Sequence, residues 1–276
     1  MKTRTLFFAG LVLGAATLAP AFDLGGLGKS ILEKTGEKIV DPKTQEQWDG
    51  LTIQQEIDVG DAVSVEIVDR YGGVWKNTVA TQRVNLVGKT LARYAKRDSL
   101  DWRFGLLDSD AVNAFSAPNG RVFITRGLYK LLANDDELAG VLAHEISHTD
   151  LKHAARVIEG KKKAGVIKDI GASVADDQMA GSKLADLPIA SQLVEGFTGA
   201  LVDGVLVNGY PKASEYEADQ NAYALAKVCG FDPNGLRIAL QKVDANTAKT
   251  KETFSTHPKT GDRLKKLPGG EKKKGK

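Results

Sequence analysis

The stretch His144-Glu145-Ile146-Ser147-His148 decides how the rest of this sequence is interpreted, because it reads H-E-x-x-H. Residues four apart on an α-helix lie one turn apart on the same face, so both imidazoles can point at one metal ion. Glu145 lies beside them, where it can take a proton from the attacking water. This arrangement of two ligands and a base predicts a zinc-dependent peptidase.

The residues before the motif predict that it lies inside a helix with a well-defined start. Asn134 suits the N-cap position, and Glu137 three residues later nearly completes a capping box. Acidic residues at 135–137 suit the positive end of the helix dipole. Apolar residues then recur at three- and four-residue steps, namely Leu138, Val141, Leu142 and Ile146. The competing interpretation is a surface helix that carries two incidental histidines.

The first 21 residues are predicted to be a secretory signal peptide. Lys2 and Arg4 precede an apolar or small-residue run from 6 to 18, and Ala19-Pro20-Ala21 supplies a cleavage site. The run is shorter than the ~20 residues that a membrane-spanning helix needs, which argues against an uncleaved anchor. We therefore expect secretion across the inner membrane into a bacterial periplasm, with no stable membrane insertion.

Composition and charge describe an ordinary globular protein. The 276 residues are 42% hydrophobic and 26% charged, and they can form one large or two small domains. Without residues 1–21, Lys and Arg fall from 38 to 36 against 35 acidic residues. The resulting net charge of about +1 gives no case for nucleic-acid binding. Cys229 is the only cysteine, so no intrachain disulfide can form.

The remaining chain divides into three parts. Residues 22–51 are predicted to be a loosely structured lead-in, 52–268 the folded domain and 269–276 a basic disordered tail. Spacing and turn signals predict helices at 52–68, 79–94, 128–132, 189–207 and 214–228, a further helix after Asp232-Pro233, and strands at 102–107, 112–116 and 121–125. The region 160–209, rich in Ala, Gly and Ser, is expected to form mobile helices or loops that cover the active site.

A catalytic zinc site takes three protein ligands, so the motif needs a third. His153 is one candidate, but on a continuing helix it lies roughly 180° from His144 and points away from the metal. We therefore expect His153 to be a structural histidine.

A carboxylate from a later helix is the other candidate. Glu215 and Asp219 are four residues apart and share one helix face. Glu215 can ligate zinc, while Asp219 can accept a hydrogen bond from the far nitrogen of a ligand histidine, which we assign to His144. Glu217 lies two residues off this face and is the weaker ligand candidate. The competing interpretation of this acidic helix is a solvated surface.

Four separated motifs occur in the order found in a known family. They are Asn113-Ala114-Phe115, the run from Glu137 to Glu145, the run from Glu215 to Asp219, and Ser255-Thr256-His257-Pro258 with Thr260 and Arg263. Over about residues 52–267 the sequence resembles metallopeptidase family forty-eight, the gluzincins that include HtpX and the CAAX prenyl proteases. It lacks the transmembrane helices of those two branches and is more similar to the soluble periplasmic members, although no helical repeat domain is visible. Lys212 also stands where the family usually has arginine.

The resemblance implies an α+β fold, a mostly helical zincin-like domain with a small β-sheet beside the H-E-x-x-H helix. Residues 112–116 would form an edge strand whose Asn113, Ala114 and Phe115 bind substrate through main-chain pairing. His257 and Arg263 would lie near the metal, with Arg263 in contact with substrate.

These features together predict a zinc endopeptidase that acts on unfolded or misassembled envelope proteins. One Zn²⁺ per chain would be held by His144, His148 and Glu215, with Glu145 as the base and His257 as an oxyanion donor or an inhibitory ligand. One alternative is a self-inhibited zinc protein that acts mainly as a chaperone or assembly factor. Another is a purely structural zinc site with His257 as a permanent fourth ligand.

Overall fold

A computed structural model describes residues 53–163, 198–250, 257 and 260–269. The predicted signal peptide, the predicted lead-in, residues 164–197 of the Ala-rich region and residues 270–276 of the predicted tail lie outside these residues. Within the described ranges, no helix is long and apolar enough to cross a membrane.

The described elements are mostly helices, with three short strands between the second and third of them. In chain order they are α1 (Ile53–Arg70), α2 (Thr78–Ala92), β1 (Arg103–Leu107), β2 (Ala114–Ala117), β3 (Arg121–Thr125), α3 (Arg126–Leu131), α4 (Asp135–Asp150), α5 (His153–Lys163), a π-helical segment (Val202–Val207), α6 (Lys212–Val228), α7 (Gly235–Thr250) and α8 (Thr260–Lys266). The predicted α+β class, with helices that outnumber the strands, is confirmed.

The three strands form one mixed sheet in the order β1-β3-β2. β1 is parallel to β3, whereas β2 is antiparallel to β3 and lies at an edge, as predicted for this segment. The reversal between β2 and β3 is tight because Gly120 adopts a φ of 81°, which a residue without a Cβ reaches at no steric cost. The sheet lies beside α4, the helix that carries the H-E-x-x-H motif.

Helix α4 begins where its sequence predicts and is buried along almost its whole length. The Asn134 side chain accepts a hydrogen bond from the Glu137 amide at 2.9 Å, and the Glu137 carboxylate accepts one from the Ala133 amide at 2.9 Å. Lys242 on α7 holds the same carboxylate at 2.7 Å. These bonds satisfy the donors of the first turn and fix the axis of the motif helix.

Two hydrophobic clusters lie on either side of the sheet and α4. The first core packs side chains of α2, β1, β3, α4, α6 and α7. The second core packs side chains of α1, β2, α5 and residues 201–210. Helix α4 is thereby enclosed by packed elements, and its polar motif residues must find partners inside the protein.

Residues 198–207 of the region expected to form mobile helices or loops are helical in the structure. Leu201, Val205 and Leu206 are buried in the second core, together with Tyr210. Their apolar spacing buries one face of the helical segment against α5 and β2, so this stretch is part of the packed domain. The rest of that region, 164–197, lies outside the described residues.

We predict that Gly140→Ala destabilises the protein by about 1–3 kcal/mol, because α4 and α7 approach too closely for a side chain. A Cβ at Gly140 would lie 2.2 Å from the backbone nitrogen of Leu236. The free energy of unfolding in urea measures this effect. Gly160→Ala is the matched helical control, since a Cβ there meets nothing within 4 Å, and it should be neutral or stabilising. Equal effects of the two substitutions would contradict the close approach.

Candidate metal centre

Four side chains from three parts of the chain converge on one point. His144 and His148 come from α4, Glu215 from the first turn of α6, and His257 from just before α8. One ligand atom from each of these residues lies within 4.8 Å of each of the others. The two histidine Nε2 atoms are 3.1 Å apart, and each lies 3.5 Å from a Glu215 oxygen. The structure thus brings together the three residues that the sequence predicts as ligands.

The spacing of these atoms fits a zinc ion. Ligand bonds of about 2.0–2.1 Å in a tetrahedron place neighbouring ligand atoms about 3.3–3.4 Å apart. The two Nε2 atoms are 3.1 Å apart, and each lies 3.5 Å from a Glu215 oxygen, His144 from Oε2 and His148 from Oε1, which is close to that value. Two imidazoles and a carboxylate are also the donor set that zinc prefers in catalytic sites. These residues therefore form a donor set that suits zinc.

A buried ion pair lies behind His144. Asp219 Oδ1 is 3.0 Å from His144 Nδ1, on the side of the ring that faces away from the other ligands. Arg263 Nη2 donates to Asp219 Oδ1 at 2.6 Å, and Arg263 Nη1 lies 3.4 Å from Glu215 Oε2. Asp219 fixes the orientation of the His144 ring, and Arg263 fixes both carboxylates.

The protonation states of these groups follow from burial and from their partners. Burial and the charge of Arg263 oppose protonation of His144, yet hydrogen bonds to Asp219 and Glu215 raise its pKa to about 9. Burial and the neighbouring His144 lower the pKa of His148 well below its ordinary value. Burial disfavours ionised Glu215, but His257, His144 and Arg263 together hold its pKa well below the usual range. In the absence of metal, His148 is neutral and Glu215 is ionised, as ligands must be.

His257 is the fourth member of the group. Its Nδ1 lies 2.8 Å from Glu215 Oε1, and its Nε2 lies 3.6 Å from Glu145 Oε1. Its side chain is only 3% exposed, so the imidazole is enclosed with the ligands and the predicted base. Its neighbours Ser255, Thr256 and Pro258 lie outside the described residues.

The assumption that one helix continues from His144 through His153 is wrong. Helix α4 ends at Asp150, and Lys152 adopts a φ of 52°, which turns the chain back before α5 begins. His153 is fully buried, and its Nδ1 lies 2.9 Å from Nδ1 of His148. It remains outside the four-residue ligand group. Glu217 also lies outside this group, 3.3 Å from His153 Nε2.

Sequence reasoning missed Tyr210, whose ring stacks on the His148 imidazole. The ring centroids are 4.1 Å apart with an interplanar angle of 12°. Burial, with the charges of Glu145 and Glu215 nearby, raises the pKa of its hydroxyl, which therefore stays protonated. No motif marks this position, since the contact depends on how residues 198–210 pack into the second core.

Residues 113–115, which were predicted to bind substrate through their main chain, lie at the start of β2 and the segment just before it. Asn113, Ala114 and Phe115 are all buried, and the Phe115 ring packs on Tyr71 with centroids 4.5 Å apart. Arg263, which was predicted to contact substrate, is 1% exposed and bound to the carboxylate of Asp219. Lys212, at the start of α6, pairs with Asp262 on α8 at 3.4 Å.

A comparison with protein families matches residues 79–270 to the model of peptidase family M48. The chain belongs to this family. The match covers most of the chain and includes every residue of the candidate centre. The family membership predicted from the four sequence motifs is therefore confirmed.

Curated relatives agree with this assignment. The chain is 29% identical over 220 residues to the beta-barrel assembly-enhancing protease of Yersinia pestis, covering 78% of this chain and 43% of that protein. It is 27% identical over 255 residues to the protein of the same name in Escherichia coli K12, covering 90% and 50%. It is also 27% identical over 190 residues to the mitochondrial metalloendopeptidase OMA1 of Schizosaccharomyces pombe, covering 68% and 52%. The chain spans about half the length of these relatives.

These comparisons confirm the predicted peptidase family, and the relatives are named as proteases or as a metalloendopeptidase. The centre built by α4 and α6 is compatible with a metal ion, and zinc suits its donor set.

We predict that the affinity for zinc falls as the pH falls below about 9. Asp219 at Nδ1 and Glu215 at Nε2 favour the doubly protonated His144, whose pKa is about 9, and the proton on Nε2 must leave before that atom binds metal. Between pH 9 and pH 7 the Kd should therefore rise about tenfold per pH unit. Competition with a chelator, corrected for the chelator's own protonation, measures the Kd for zinc at each pH.

The matched variant for this pH test is Asp219→Asn, which keeps the shape of the side chain and removes the charge that favours the proton. Its Kd should depend less steeply on pH over the same range. A wild-type Kd that stays constant between pH 7 and pH 9 would contradict the assigned protonation of His144.

Proposed function

We propose that this protein is a zinc-dependent endopeptidase that cuts extended or unfolded polypeptides in a bacterial periplasm. The observation that carries the proposal is the tetrahedral spacing of His144, His148 and Glu215, with Glu145 next to the first ligand on α4. A zinc ion bound there would supply Lewis acidity and make a water molecule nucleophilic at neutral pH.

Glu145 is proposed as the general base. It is 2% exposed and lies beside the ligands, so its carboxylate works in a site from which bulk water is largely excluded. It takes a proton from the attacking water and passes it to the leaving amine. His144, His148 and Glu215 hold the ion, and Asp219 and Arg263 hold two of those ligands in place.

Strand β2 is proposed to bind the substrate through its main chain. The Thr125 amide donates to the Asn113 carbonyl, so in this antiparallel register the groups of Ala114 and Ser116 point away from β3. The Ala114 amide is taken by the Asn113 side chain at 3.0 Å, so the Ala114 carbonyl and the main-chain groups of Ser116 are the proposed points of pairing with a peptide. Main-chain pairing selects for an extended conformation rather than for a sequence.

The biological role is proposed from the relatives and from the N-terminal residues. The two bacterial relatives are named as proteases that enhance beta-barrel assembly, which suggests misassembled envelope proteins as substrates here. The cationic and apolar start of the chain, with its Ala19-Pro20-Ala21 site, supports export. Unfolded envelope polypeptides would offer the extended segments that β2 can pair with.

We predict that Glu145→Gln keeps about one zinc ion per chain and loses at least ~100-fold in casein hydrolysis. The amide preserves the shape of the side chain but cannot accept the proton, and Glu145 is not a ligand. Metal analysis and the protease assay on the same sample measure both properties. Glu66→Gln, on the exposed face of α1, is the control and should change neither. Loss of zinc together with activity would contradict the assigned role.

A second candidate function is a self-inhibited zinc protein that acts mainly as a chaperone or assembly factor. The position of His257 favours it, because a fourth protein ligand closes the site that a catalytic centre leaves open. In this conformation the protein would bind metal without room for the attacking water. Displacement of His257 would then convert it into the endopeptidase.

We predict that His257→Ala retains zinc on the three remaining ligands and raises the rate of casein hydrolysis. Removal of the imidazole opens the fourth position beside Glu145. Metal content and activity are compared with Lys265→Ala, an exposed residue on α8 that should have no effect. A ~100-fold fall in activity would instead identify His257 as an oxyanion donor. Unchanged activity and unchanged metal affinity would place His257 outside the working site.

A further inference from the structure

A hydrogen-bonded chain of side chains runs from Nδ1 of His148 to the protein surface through His153, Glu217 and Arg156. His153 Nδ1 lies 2.9 Å from His148 Nδ1, and His153 Nε2 lies 3.3 Å from Glu217 Oε2. Arg156 donates to the same Glu217 oxygen at 2.6 Å. His148 and His153 are buried, whereas the side chains of Glu217 and Arg156 are 46% and 52% exposed. The chain therefore connects a metal ligand with solvent-accessible charges.

The positions of the protons in this chain can be assigned from its outer end. An ionised carboxylate only accepts hydrogen bonds, so His153 Nε2 must carry a proton to bond with Glu217. A fully buried imidazole favours its neutral form, which carries one proton, so with Nε2 as the donor to Glu217 the Nδ1 of His153 accepts. The facing nitrogen, His148 Nδ1, must then be the donor, because two acceptors or two donors at 2.9 Å would repel.

This assignment fixes the tautomer of His148. With the proton on Nδ1, its Nε2 keeps a lone pair, and Nε2 is the atom that faces His144 and Glu215 across the ligand group. The other tautomer would place a proton where the metal binds and leave two acceptors in contact. Each ligand histidine then has its own partner on the far nitrogen, Asp219 for His144 and His153 for His148.

We propose that His153 is a positioning residue that locks His148 in its metal-binding tautomer, with Glu217 setting the proton of His153. The inference rests on the proposed zinc site. The rival explanation is that His153 and Glu217 merely fasten α5 to α6, in which case any residue that fills the volume would serve equally well. The positioning role needs a hydrogen-bond acceptor where Nδ1 of His153 lies, whereas the packing role does not.

The test compares His153→Asn with His153→Leu in the full chain. Asparagine can present its amide oxygen where Nδ1 of histidine lies, whereas leucine fills a similar volume without an acceptor. The Kd for zinc, measured by chelator competition, should rise about 10–100-fold in His153→Leu, the usual loss when such a partner is removed. It should rise far less in His153→Asn. Nitrogen-15 chemical shifts of the His148 ring in the metal-free protein should show the Nδ1-protonated tautomer in wild type and Asn, and a mixture in Leu.

Glu217→Ala provides a second variant that should fold normally, because this side chain is half exposed and lies outside the ligand group. It should weaken zinc binding in the same direction by a smaller factor and shift the same tautomer signal. Glu66→Ala, which removes a remote surface ion pair on α1, is its control and should change neither.

The outcomes separate this inference from the proposed function. Wild-type protein that binds zinc, with equal Kd values for His153→Leu and His153→Asn, would overturn the positioning role alone. An unchanged tautomer in His153→Leu would do the same. Wild-type protein that binds no zinc would overturn the proposed peptidase mechanism, and the positioning role with it.

Discussion

The buried guanidinium of Arg263 balances the negative charges around which the centre is built. Glu215 and Asp219 have side chains that are at most 3% exposed, and two desolvated carboxylates one helical turn apart repel each other. Arg263 lies 2.6 Å from one and 3.4 Å from the other, so both can stay ionised inside the protein. Removing one partner of a buried pair typically costs about 3–5 kcal/mol, since the remaining charge is left uncompensated. The packing of α8 is therefore needed to keep Glu215 and Asp219 ionised.

Each ligand is held by a different kind of contact, and the elements that supply these contacts differ. His144 is oriented by a carboxylate from α6, His148 by an imidazole from α5 and a stacked Tyr210, and Glu215 by cationic or hydrogen-bonding groups near α8. The two hydrophobic cores position these elements on both sides of α4. Preorganisation of this kind keeps ligand atoms at metal-binding distances before any ion arrives, so little rearrangement opposes binding.

Local periodicity in the sequence was sufficient to predict much of the fold and most members of the centre. Helical spacing places His144 and His148 on one face, and the same rule places Glu215 with Asp219. The resemblance to a family, rather than any local pattern, pointed to His257 and Arg263. Long-range packing lay beyond both arguments: the burial of Phe115, the stack of Tyr210 and the carboxylate partners of Arg263 depend on elements distant in sequence.

Lys152 adopts a left-handed backbone conformation that its local sequence does not favour. Leucine and lysine are good helix formers, and a non-glycine residue with positive φ is disfavoured by about 1 kcal/mol. A peptide of residues 135–163 removed from the protein should therefore prefer one continuous helix, with His153 on the side opposite His144. The break belongs to the tertiary structure, where the burial of α5 in the second core offsets its cost. The contact between His148 and His153 thus depends on completed folding and not on helix formation.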